Sequence, residues 1–204
     1  MSIRRVLGRA SRSPYDGWIV VGLGNPGPAY ANTRHNVGYL VTDALAERMG
    51  ARWRSHRGSL AVEGRLGPPP GTRVVLGRAR SYMNESGGPV QSLLAFYHAS
   101  PERLVVVHDE IDLPYGALRV KLGGGDNGHN GLRSLRGALG TGDYYRVRLG
   151  VGRPAGRQDP ADYVLSAFRA AERKELPVHV EQAADAVESL VRVGLAETQS
   201  RFNC

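Results

Sequence analysis

Val20-Val21-Gly22-Leu23-Gly24-Asn25-Pro26-Gly27-Pro28-Ala29-Tyr30-Ala31-Asn32-Thr33-Arg34-His35-Asn36 decides how the rest of the chain is read. It opens as an apolar, β-branched strand from Trp18 to Leu23. It then turns on glycine and proline and delivers Asn25, Tyr30, His35 and Asn36 within twelve positions. A strand ending in a stiff polar loop is where α/β proteins place their chemistry. The spacing Gly22-x-Gly24-x-x-Gly27 also resembles a dinucleotide fingerprint. That fingerprint needs a helix opening on its last glycines, so that backbone N–H groups face a pyrophosphate. Pro26 and Pro28 interrupt here, and the next helical pattern starts near Asn36. The glycines and prolines are therefore read as shaping a loop that aims Asn25 and His35.

Working outward, Asn36 to Met49 has the apolar spacing of an amphipathic helix, and Gly50 ends it. Leu60–Leu66 and Arg73–Arg78 read as a hairpin around Pro68-Pro69-Pro70-Gly71, with 60–66 as an edge strand. After the polar loop 80–87, a helix is predicted from about Gly88 to Ala99. Leu104 to Val107 is a continuous apolar run, as in a strand buried on both faces, and it leads into His108-Asp109-Glu110. Ala117–Leu122 is a strand, 123–131 a glycine-rich loop, Leu132–Leu139 a short helix and Tyr144–Val151 a strand. A cover segment begins in 162–168, and the helical pattern of 171–194 is interrupted at Pro177. Strands alternating with helices predict one α/β domain over 18–204, a twisted mixed and mostly parallel sheet flanked by helices. Residues 1–17, with Arg4, Arg5, Arg9 and Arg12, read as a flexible extension rather than an organelle leader.

Composition narrows the class. No apolar run is long enough to span a membrane. The single cysteine is Cys204, which excludes an internal disulfide framework and fits a reducing compartment. The 27 Lys+Arg against 19 Asp+Glu give a net charge of +8, a field that attracts polyanions, nucleic acid first.

The candidate chemistry lies in loops beside strands: Asn25, His35, Asn84, Asp109, His129 and Asn130. There is no Gly-x-Ser-x-Gly elbow. His108, Asp109, Glu110 and Asp112 suggest metal ligands. In a strand, however, the side chains at 108 and 110 face away from that at 109, and no His-Glu-x-x-His or Cys-x-x-Cys is present, so no metal is expected. Hydrolysis without nucleophile or metal needs water activated by a base. Histidine suits that role, and a neighbouring carboxylate fixes its tautomer. Asparagine side chains hold carbonyl substrates without adding charge. The set suits ester or amide hydrolysis.

The chain resembles the bacterial-type peptidyl-tRNA hydrolases from about Trp18 to Asn203. The resemblance is carried by Gly22–Gly27, Tyr30–Gly38, Tyr82–Gly87, His108–Pro114, Lys121–Gly125 and Gly128–Leu132. It implies cleavage of the ester joining a peptide to the 3′ end of transfer RNA, recycling tRNA after ribosome drop-off. It implies His35 as catalytic base with Asp109 as its partner. Asn25, Asn84 and Asn130 would position substrate and water, with Tyr30, Met83 and His129 lining the site. Lys121 and Arg148 match positions associated with the tRNA 5′ phosphate. The resemblance further implies a cytoplasmic monomer with no cofactor and no membrane partner. This sequence departs from the family pattern in its N-terminal extension, in Asp126-Asn127 within the glycine loop, and in its short tail ending at Cys204. A non-enzymatic RNA-binding relative and an unrelated small-ester hydrolase are the alternatives. The first does not need this full polar set, and the second leaves the basic residues without a role.

Overall fold

The computed structural model of the protein describes residues 15–154 and 156–203. The expectation of flexibility for residues 1–14 and the reading of Cys204 fall outside them. Within the described part of the extension, Tyr15 packs against Tyr97 with ring centroids 5.5 Å apart, and Asp16 pairs with Arg73 at 2.7 Å.

Seven strands form one mixed sheet. They are β1 (Trp18–Gly22), β2 (Arg54–His56), β3 (Ser59–Leu66), β4 (Thr72–Ala79), β5 (Leu104–Glu110), β6 (Leu118–Leu122) and β7 (Tyr145–Gly150), in the order β2-β3-β4-β1-β5-β7-β6. The central strands β4, β1, β5 and β7 are parallel, and antiparallel pairs close both sides. The hairpin β3–β4 forms as expected, but β3 is not the edge: the short strand Arg54-Ser55-His56 pairs outside it. Three polar residues carry no apolar alternation, so nothing local announced a strand there.

The helices α1 (Val37–Arg48), α5 (Ala170–Val193) and α6 (Leu195–Phe202) cover one face. The helices α2 (Gly87–Tyr97) and α3 (Asn130–Leu139) cover the other. Alternation along the strands feeds both cores. Val20, Val105 and Val107 face the first layer, while Ile19, Val21, Leu104 and Val106 face the second. Helix α5 runs unbroken through Pro177, against the expected interruption. Pro177 lies on the solvent side of that helix, so the carbonyl that loses its N–H partner is on the side open to solvent.

Two consequences place the site. All four parallel strands end at the same edge, so the loops after β1, β4, β5 and β7 converge there. The chain leaves β1 for β4 through α1, then crosses through α2 to β5 on the other side of β1. The crevice between the carboxyl ends of β1 and β5 is thus a topological switch point, the preferred ligand site of such sheets. Helix α1 closes down on it through Gly38, where an added Cβ would lie 2.4 Å from the Val107 carbonyl oxygen and 2.6 Å from the Leu23 nitrogen. Only glycine allows that approach. The helix begins at Val37, well past Gly27, which removes the dinucleotide reading.

Candidate active site

The loop after β1 is held by its own polar residues. The Asn25 N–H donates to Asn36 Oδ1 at 2.8 Å, and Asn36 Nδ2 donates back to the Asn25 carbonyl at 2.9 Å. Asn25 Oδ1 in turn accepts the Met83 N–H at 2.7 Å, drawing the loop after β4 to the same point. This fixes the amide orientation, since only oxygen accepts an N–H, and leaves Asn25 Nδ2 as a donor. Asn36 stands in the opening stretch, but its clamp on the Asn25 backbone was not legible there.

His35 lies on a short 3₁₀ turn, Arg34–Asn36, leading into α1. Buried Arg34 ties that turn to the segment beyond β7. Its Nη1 donates to Ser166 Oγ at 2.7 Å and its Nη2 to Glu172 Oε2 at 2.6 Å, with the guanidinium 4.3 Å over the Tyr163 ring. The segment 159–165, containing the short helix α4 (Pro160–Val164), supplies one wall of the cavity.

Asp109, at the end of β5, faces His35. His35 Nδ1 lies 2.9 Å from Asp109 Oδ1 and 3.0 Å from Oδ2. His129 Nε2 reaches the same Oδ1 at 3.0 Å. One carboxylate therefore serves two histidines from separate parts of the chain. The tautomers follow from the partners. His129 Nδ1 accepts the Gly131 N–H at 3.1 Å and the Leu132 N–H at 3.4 Å, capping α3, so the ring proton sits on Nε2 and points at Asp109. His35 donates through Nδ1, which leaves Nε2 as its acceptor. Burial drives His35 towards the neutral form. The charge of Asp109 and the hydrogen bond it accepts outweigh this and raise the pKa above its usual value. Burial acts to raise the Asp109 pKa, and the two histidines overcome it and hold the carboxyl well below its ordinary range. His108, on the other face of β5, donates from Nδ1 to the Asp109 carbonyl at 2.7 Å, and burial holds its pKa well below the usual value.

A cavity of about 850 Å³ opens over this group. Asn25, Tyr30, His35, Met83, Asn84, Asp109, His129 and Asn130, the whole sequence-derived set for the ester site, line it together. Tyr82, which sequence reading passed over, also lines it and stands 55% exposed, with its ring 6.2 Å from that of Tyr30. Glu110, Asn127 and Arg153 also line it, although the sequence does not place them in the ester site. No serine, threonine or cysteine lines the cavity among the described residues.

Lys121 and Arg148 are not at this cavity. They line a second one of about 300 Å³ beside it, together with Arg146, His108, Glu110 and Asn127. Strands β6 and β7 are neighbours, and the residue opposite Lys121 is Arg146, with Arg148 on the diagonal. All three therefore project from one face. Arg146 was missed, although the alternation Arg146-Val147-Arg148 could have shown it. Its guanidinium binds the carbonyls of Gly124, Gly125 and Gly142 and so anchors the glycine loop. Arg148 is engaged by Glu110, at 3.0 Å from Nε and 2.7 Å from Nη2. Burial, then the charges of Arg148 and Arg146, lower the Lys121 pKa. The second cavity thus has a net positive lining.

The reading that no ligand set exists needs one correction. His35, Asp109 and His129 bring three possible metal-ligand atoms within 4.8 Å of one another. Folding assembles this group, and the run 108–112 does not. Its hydrogen bonding accounts for the geometry: both ring nitrogens that face Asp109 carry protons. His129 would lose its two backbone partners if the ring turned to ligate.

Fold and site together define a single-domain α/β hydrolase with a histidine–aspartate pair at the carboxyl edge of a mixed sheet. The crystal structure of the peptidyl-tRNA hydrolase from Acinetobacter baumannii superposes with a TM-score of 0.84 at 31% identity, covering 95% of this chain and 97% of that one. Named peptidyl-tRNA hydrolases are more similar in sequence. That of Frankia alni is 59% identical over 187 residues, covering 91% of this chain and 93% of its own. That of Streptomyces coelicolor is 57% identical over 190 residues, covering 91% and 94%. The pattern described as Peptidyl-tRNA hydrolase matches residues 19–204, and the chain belongs to that family.

Proposed function

We propose that this chain hydrolyses peptidyl-tRNA with water activated by His35 and held in its working tautomer by Asp109. The observation that carries the assignment is the double contact of His35 Nδ1 with the Asp109 carboxylate, which leaves Nε2 as acceptor in a residue lining the cavity. Nε2 takes a proton from water as the water oxygen attacks the ester carbonyl. The tetrahedral intermediate then expels the ribose 3′ oxygen, which receives the proton back from His35. Asn25 Nδ2, fixed by the Met83 N–H, donates to the carbonyl oxygen as charge develops on it. Asn84 and Asn130 position peptide and water, and Tyr30, Met83 and His129 wall the site. The reaction belongs to translation. The family resemblance supports reading the chain as a cytoplasmic monomer; among the described residues, no helix is long and apolar enough to cross a membrane.

The direct test is release of peptide from purified peptidyl-tRNA. EDTA is expected to leave the rate unchanged once magnesium's effect on tRNA folding is controlled. Activity that vanishes with EDTA and returns with zinc alone would replace the water-and-histidine reading with a metal bound by His35, Asp109 and His129.

We assign Lys121 and Arg148 to a tRNA phosphate on the strength of the positive second cavity. Lys121→Ala and Arg148→Ala are expected to raise KM for peptidyl-tRNA. Each should also flatten its salt dependence by roughly 0.7 to 0.9 in slope, the release of one phosphate's counterions. Cleavage of a short peptidyl ester lacking the tRNA body should be unaffected. Equal damage to both substrates would show that these residues support the fold instead.

A further inference from the structure

The second cavity contains its own anion. Arg148 spends its Nε and Nη2, the edge that would grip a phosphate in two parallel bonds, on the single oxygen Oε2 of Glu110. Glu110 is held in that position from its other oxygen. Oε1 accepts the Asp112 N–H at 3.1 Å and Asn127 Nδ2 at 3.2 Å, and Asn127 Nδ2 also donates to Asp112 Oδ2 at 2.6 Å. The Glu110 side chain is 6% exposed and that of Arg148 21%, so the pair is shielded from water on the carboxylate side. Among the described residues neither of the other two cations makes an ion pair: Arg146 is engaged by loop carbonyls, and Lys121 has its pKa lowered by burial and by the two arginines, against the smaller opposing pull of Glu110. Glu110 and Asn127 line both cavities, so this carboxylate stands in the wall between the ester site and the anion site.

We propose that Glu110 is a resident competitor for the phosphate. It closes the binding edge of Arg148 in the free protein, and a tRNA phosphate binds by exchanging with it. This rests on the phosphate reading of Lys121 and Arg148 and adds the term that limits its affinity. The departure Asp126-Asn127 in the glycine loop then has a role, because the Asn127 amide steadies Glu110 in the closed position. An ion pair inside the site keeps Arg148 from retaining phosphates that lack the further support of Lys121, and it speeds release of the cleaved tRNA.

The test is equilibrium binding of an uncharged acceptor-stem RNA hairpin with a 5′ monophosphate, against the same hairpin with a 5′ hydroxyl. Glu110→Gln keeps the side-chain length and an oxygen for Asp112 and Asn127 while removing the charge. It is expected to bind the phosphorylated hairpin at least about tenfold more tightly, the scale of one charge-assisted hydrogen bond regained. The hydroxyl hairpin should change little, and the gain should disappear in Glu110→Gln/Arg148→Ala. Glu110→Asp, which keeps the charge but draws it back from Arg148, should show a smaller gain and guards against a folding defect of the first variant. Unchanged or weaker binding of the phosphorylated hairpin by both variants, with their circular dichroism intact, overturns the proposal and makes Glu110 an orienting partner of Arg148. If the wild-type protein and Arg148→Ala each bind the two hairpins equally, the phosphate reading itself is wrong, and the competitor role goes with it.

Discussion

His35→Ala is expected to lower turnover of peptidyl-tRNA by about two orders of magnitude or more, the usual scale for loss of a general base. Binding of uncharged tRNA should survive, because Lys121 and Arg148 line a separate cavity. The separation also predicts where the defect falls: in kcat, with KM little changed. Removing the ring opens space in a cavity of about 850 Å³, so added imidazole should restore part of the rate. The measurements are single-turnover cleavage and tRNA binding on the same preparation. Near-normal turnover would remove His35 from the mechanism. Loss of binding in step with turnover would make it a structural residue.

Asp109→Asn should have an effect of similar size for a different reason. Two N–H groups, His35 Nδ1 and His129 Nε2, point at this carboxylate. An asparagine offers one acceptor oxygen in place of two. The histidine that meets the new amide N–H must turn its lone pair towards it. If that is His35, the proton moves to Nε2 and the base is gone. We therefore expect a loss of about a hundredfold in turnover. The sign of the pH effect follows from the raised His35 pKa. The base works when neutral, so the rate rises with pH through that pKa. Asp109 raises it by favouring the protonated ring, and without the carboxylate the midpoint of the pH–rate profile should move down. A loss equal at every pH, together with a large drop in Tm, would favour a purely structural Asp109.

The alternating and continuous apolar runs were enough to locate most strands, because side-chain period and burial are local properties. They failed at Arg54–His56, which is held in the sheet by pairing rather than by pattern, and at Pro177, whose cost depends on which side of α5 meets solvent. Side chains 108 and 110 face opposite to that of 109, since a strand's alternation is set by the backbone. Asp109 meets His35, while Glu110 meets Arg148.

By itself the sequence determined which residues could do chemistry: His35, Asp109 and the asparagines, each in the polar stretches that follow or end strands, although Asn25, His35 and Asp109 are buried there. It also determined the family, through motifs in fixed order. Only the tertiary structure decided who partners whom. Asp109 is shared by His35, 74 positions away, and His129, 20 positions away. Asn25 reaches 58 positions to the Met83 N–H. Arg148 is engaged by Glu110, and Arg146 completes the cation group by standing opposite Lys121. These pairings depend on strand order and register, which parallel crossovers set over long distances. Hydrogen bonds act over about 3 Å, so a change of one strand position would exchange every partner.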